Sequence, residues 1–65
     1  MRDINRIEPF MNELTEIWKL VPDYRFGQLI ETFKSCEQID DDNLFYLEDS
    51  ITLEKLRHFK KEWLE

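Results

Sequence analysis

The side chains in this sequence that could do chemistry are few: one thiol, Cys36, one imidazole, His58, and an unbroken acidic run, Asp40-Asp41-Asp42. Nucleophilic cysteines sit in electropositive surroundings. Cys36 is instead followed by Glu37 and the acidic run, so a reactive thiol is not expected. His58 lies among Arg57, Lys60 and Lys61, with no Ser or Cys at a recognisable motif spacing, and nothing suggests a triad. The acidic run resembles a calcium loop only superficially. An EF-hand loop needs alternating acids, a central Gly and a Glu at its twelfth position. Here the acids are adjacent, no Gly follows, and position twelve counted from Asp40 is Ile51. One Cys and one His do not make a zinc ligand set. There is no Gly-rich phosphate loop, and no pair of carboxylates is visibly driven to different roles. A chain of 65 residues also has little room for a closed active site, since pockets of about 300 Å³ or more are typical. The expectation is therefore a protein that is not an enzyme, with no cofactor and no metal site.

The charge is more informative than the chemistry. The net charge is −6, but from Ser35 to Glu54 there are seven acids and no Lys or Arg. The remaining residues carry eight acids and nine bases, so the whole acidic excess lies in one stretch. Such a field repels a nucleic-acid backbone and favours a basic partner. The single cysteine allows no internal disulfide, which fits a reducing cytoplasm rather than a small secreted domain. Met1-Arg2-Asp3 does not open a signal peptide, and no apolar run approaches the ~20 residues of a membrane span. A cytoplasmic location is expected.

The elements that must position these groups are helical. Hydrophobic residues make up 42% of the chain and aromatics 14%, with one Gly, too apolar for a disordered chain. Residues 1–65 read as a single all-α domain of three helices, near 6–20, 24–38 and 50–64. Ile4, Ile7, Phe10, Met11, Leu14, Ile17, Trp18 and Val21 recur in steps of three and four. Asn5 and Glu8 are spaced as a capping box, or else Glu8 caps with Pro9 first in the helix. Pro22 stops this helix, because the residue before proline is pushed from the α region. Asp23 is the expected N-cap of the second, whose face is Phe26, Leu29, Ile30 and Phe33. Asp40 to Asn43 reads as a solvated loop. Leu44-Phe45-Tyr46-Leu47 is expected to be an extended or single-turn segment, with Phe45 and Leu47 plugging the core. Glu48-Asp49-Ser50 opens the third helix, with acids at its positive end. Its apolar face is Leu53, Leu56, Phe59, Trp63 and Leu64.

The segment Pro22-Asp23-Tyr24-Arg25-Phe26-Gly27-Gln28-Leu29 places the only glycine in the first turns of a helix. A glycine there costs about 1 kcal/mol relative to Ala. Two explanations suit it: close packing against the first helix near Trp18, where a Cβ would clash, or a contact surface with Arg25 and Gln28 exposed. Arg25 itself is expected either on that surface or paired with Glu48 or Asp49, pinning the third helix.

The pattern Trp18-x3-Pro22-Asp23-x-Arg25-x-Gly27-Gln28-Leu29, followed by Phe45-Tyr46-x-Glu48-Asp49, resembles a family of short uncharacterised proteins of Gram-positive bacteria and their phages. The resemblance spans roughly residues 7–59. It implies a natural helical domain in a bacterial, phage or prophage setting, and implies no reaction. The nine aromatics exceed what a core of this size readily encloses. Tyr24, Tyr46 and one tryptophan are candidate surface anchors. The expected function is stoichiometric binding to a protein with a basic surface, through Arg25, Gln28, Asp40, Asp41, Asp42, Tyr46, Glu48 and Asp49. A homodimer built on the surplus apolar surface is the first alternative. A helix-turn-helix nucleic-acid binder using the Lys/Arg cluster of the third helix is the second, with the net charge against it.

Overall fold

The first helix starts earlier than its proline alone requires. Asp3 turns the chain into a 3-10 turn, Ile4–Arg6, and its carboxylate accepts the Asn5 N–H at 2.9 Å. The expected capping box at Asn5 and Glu8 is therefore absent: Asp3 takes the Asn5 amide. The turn runs directly into α1, Ile7–Leu20. Pro9 falls in the first turn of α1, where a missing N–H costs little. The structure, a computed structural model, describes residues 3–65, with side chains at all of these except Asp41 and Asp42.

After α1 the chain turns through residues 21–25. Val21 donates its N–H to the Trp18 carbonyl at 3.0 Å, and Tyr24 to the Val21 carbonyl at 3.1 Å. The Trp18 indole Nε1–H donates to the Tyr24 carbonyl at 2.9 Å, tying the end of α1 to the turn. Helix α2, Phe26–Cys36, is capped by Arg25 and not by Asp23. The Gln28 side chain reaches back and accepts the Arg25 N–H at 2.8 Å. That bond, from the third residue of the helix, sets the start two residues past the Asp23 cap position.

The end of α2 is a Schellman turn. Gln38 donates to the Ser35 carbonyl at 3.3 Å and Ile39 to the Lys34 carbonyl at 2.8 Å. Gln38 holds φ at 57°, a left-handed conformation that glycine ordinarily fills. The one glycine sits elsewhere. An added Cβ at Gly27 would meet nothing within 4 Å, so close helix packing does not account for it. Each of the substitutions Gly27→Ala and Gln38→Gly is accordingly expected to stabilise the protein, on the order of 0.5–1 kcal/mol. Urea unfolding followed by circular dichroism checks both. A lower midpoint for Gly27→Ala would show that the position needs glycine in the folded state.

The residues read as a solvated loop and as an extended or single-turn segment form one further short helix, α3, Asp41–Tyr46, with Asp40 as its N-cap. A lone extended segment would leave its backbone groups without partners. A helical turn satisfies them locally, with the Leu44 N–H on the Asp40 carbonyl at 3.0 Å. Acids in its first turn also suit the helix dipole. Phe45 does not plug the core and is 82% exposed, whereas Leu47 packs against it. Helix α4, Asp49–Phe59, follows with Glu48 as N-cap and continues as a π-helical stretch, Lys60–Leu64. The wider winding turns Trp63 outward, to 59% exposure, while Leu64 keeps its contact with the core.

The protein is thus all-α. Its core is Leu14 and Ile17 of α1, Leu29 and Phe33 of α2, Ile39, and Leu56 and Phe59 of α4. Phe33 and Phe59 meet edge to face, with ring centres 5.6 Å apart. Arg6 and Asp49 join the starts of α1 and α4 at 3.0 Å. His58 and Glu37 join α4 to the end of α2 at 2.7 Å.

Candidate docking surface on the acidic stretch

The groups that could do chemistry are placed structurally. Cys36 is a half-buried free thiol facing the core cluster. The imidazole Nδ1 of His58 meets a Glu37 carboxylate that is only 7% exposed. This contact gives Glu37 a partner where solvent barely reaches it. Among the described residues, no group of three or more His, Cys, Asp or Glu side chains could hold a metal ion.

Basic side chains of α4 and of the π-helical stretch already face acids. Arg57 faces Glu13 at 3.8 Å, His58 faces Glu37, and Lys60 faces Glu65 at 3.9 Å. A phosphate backbone would have to compete with these acids for each of them.

The acidic stretch presents a different surface. Helix α3 begins at the acidic run, with Asp40 exposed at its cap and Asp41 and Asp42 in its first turn. Its C-terminal turn carries Phe45 and Tyr46, 82% and 78% exposed. Their rings touch edge to face at 4.9 Å, so they form one aromatic step and not two separate side chains. Tyr46 also lines a shallow pocket of about 260 Å³ with Gln38, Ile39, Asn43, Leu47 and Lys55. Glu48 and Asp49 lie at the next corner, beside a cleft of about 350 Å³ between the starts of α1 and α4.

Of the eight residues expected to form the surface, Asp40, Asp41, Asp42, Tyr46, Glu48 and Asp49 lie close together in sequence, on α3 and at the start of α4. Arg25 and Gln28 do not join them through any hydrogen bond or ion pair among the described residues. They bond each other locally at the cap of α2. Arg25, expected on the surface or paired with Glu48 or Asp49, is exposed, and Asp49 pairs with Arg6 instead. Arg6 precedes α1 directly, and α1 packs on α4, so its guanidinium reaches the α4 start more directly.

Phe45 was missed because it lies in an apolar tetrapeptide. The available signal was the acidic run before it, which suits the cap and first turn of a helix, and a helix places Leu44 and Phe45 on different faces. No helix among the described residues is long and apolar enough to cross a membrane. Comparison with protein-family models, curated proteins and solved structures finds no match to this chain.

Proposed function

We propose that this protein is a binding module that docks stoichiometrically on a basic surface of another protein, through α3 and the start of α4. The observation that carries this is the exposure of Phe45 and Tyr46, 82% and 78%, inside a stretch of seven acids and no bases. Exposed aromatics within a charged surround are the residue types and arrangement of a binding hot spot. The acids would steer a basic partner and exclude acidic ones. The resemblance to short phage and bacterial proteins suits an accessory factor of a phage or mobile element, working in the cytoplasm without catalysis.

The test is a pull-down comparing the wild type with the triple variant Asp40→Asn, Asp41→Asn, Asp42→Asn. Asparagine keeps the size and the N-cap ability of Asp40 while removing the charge. The wild type is expected to retain a discrete basic partner near physiological salt and the variant to lose it. Identical partner lists, or none, would sink the acidic surface. Self-association has its own support, since Met11, Phe26 and Trp63 are each about half exposed. Sedimentation at micromolar concentration decides it, and a clean monomer removes it.

A further inference from the structure

Four helices leave a cleft of about 290 Å³ between them, and its lining is almost wholly apolar. Phe10, Met11 and Leu14 come from α1, Phe26 and Ile30 from α2, and Leu44 from α3. Phe33 and Leu56, both buried core residues, also line it. Met11 and Phe26 are the most exposed of the lining side chains, at 47% and 51%. Among the described residues the only polar side chain in the lining is Thr52, and its hydroxyl already donates to the Glu48 carbonyl at 3.2 Å. Among the described residues the cleft therefore offers an occupant apolar contact and no free side-chain donor. Its volume is at the lower limit for enclosing a small molecule but suits side chains inserted from one face of a helix.

The charges around it select the occupant. Leu44 hangs from the Asp40 carbonyl, and Thr52 from that of Glu48, so the α3 and α4 walls belong to the acidic stretch. On α1, Glu8 lies one turn before Met11 and is exposed; on α2, exposed Glu31 follows Ile30. Of the nearby bases, Lys34 is drawn to Glu31 at 3.5 Å and Arg6 to Asp49 at 3.0 Å, leaving Arg25 beside Phe26. A second copy docking face to face would bring the same acids together, because a two-fold interface pairs each patch with itself. Two chains of net charge −6 would repel there.

We infer that this cleft receives an amphipathic helix of a partner, with an apolar stripe flanked by Lys or Arg, an inference that rests on the docking function proposed above and names its ligand.

The probe is a synthetic Leu/Lys peptide of about 18 residues, about five turns, with leucines on one helical face. Two controls accompany it: a Leu/Glu peptide with the same apolar face, and a Leu/Lys peptide of the same composition in an order that breaks the stripe. Each is titrated into methyl-labelled protein. The amphipathic Leu/Lys peptide is expected to shift the methyls of Met11, Leu14, Ile30 and Leu44 and to bind at least about tenfold more tightly than either control. Met11→Glu should weaken it at least about tenfold with helicity unchanged, and Phe26→Ser should repeat the loss without adding charge. No binding, equal binding of a control, or indifference to both substitutions would overturn the cleft assignment. If binding survives both substitutions but disappears with Asp40, Asp41 and Asp42 changed to Asn, the docking surface stands and the cleft is not its site. If the cleft methyls shift on dilution of the protein alone, the occupant is a second copy and the assignment falls.

Discussion

Phe59→Ala is expected to remove a large part of the stability of the fold at 25 °C. Phe59 is 0% exposed and meets Phe33 ring to ring at the centre of the core. Truncating a buried Phe to Ala costs about 3–5 kcal/mol, since it removes apolar contact and leaves a cavity. A domain of 65 residues has a total stability of roughly 3–10 kcal/mol. The loss is thus at least about a third of what holds the fold and, at the lower end of that range, all of it. Relief by collapse of the cavity is limited, because Ile17 and Leu29 beside it are themselves almost fully buried. Urea titration monitored at 222 nm should move the midpoint down by about 3 M or more, or abolish the transition, given a slope near ~1 kcal/mol per molar for so small a protein. A cooperative transition within about 0.5 M of the wild type would show that Phe59 is not central.

Phe45→Ser should behave in the opposite way. Phe45 is 82% exposed, so its loss should change stability by no more than about 0.5 kcal/mol. Its effect should fall on binding. If Phe45 and Tyr46 anchor the partner recovered in the pull-down, removing one ring costs about 2 kcal/mol or more, roughly thirtyfold in Kd. Tyr46 would lose its edge-to-face neighbour as well. Calorimetric titration with that partner measures the change, alongside a urea curve. Unchanged affinity would move the contact away from the tip of α3. A large loss of stability would mean that Phe45 packs in solution.

These two phenylalanines mark how far local pattern reaches. Phe45 lies in an apolar run and Phe59 on an apolar helical face, and both are expected inside. Phe59 recurs with Leu56 on a helical face that α1 and α2 cover. Phe45 stands one residue from Leu44, and in a helix one residue is a turn of about 100°. Once α3 is helical, Leu44 and Phe45 cannot both face the core, and Leu44 takes the inner position. The same limit applies to Met11 and Phe26, which share helical faces with buried residues yet are only half covered. A domain of this length has too little interior for nine aromatics and a full set of aliphatic side chains.

The candidate surface was legible in part for a related reason. Charge along a chain survives folding whenever the charged residues stay in one segment, so the acidic corner could be read from Ser35–Glu54 alone. Arg25 and Gln28 could not be placed that way. Their relation to the acids depends on where α2 begins, and that is set by a single side-chain bond from Gln28.

The sequence by itself therefore determined an all-α chain, the proline break between the first two helices, and the one-sided charge, because each follows from local periodicity, backbone sterics or composition. The tertiary structure alone decided that Leu44 and not Phe45 faces the core and that an apolar cleft stays open between the four helices. Those outcomes depend on how much of each helix its neighbours can cover, which is a property of the packed helices together and not of any one segment.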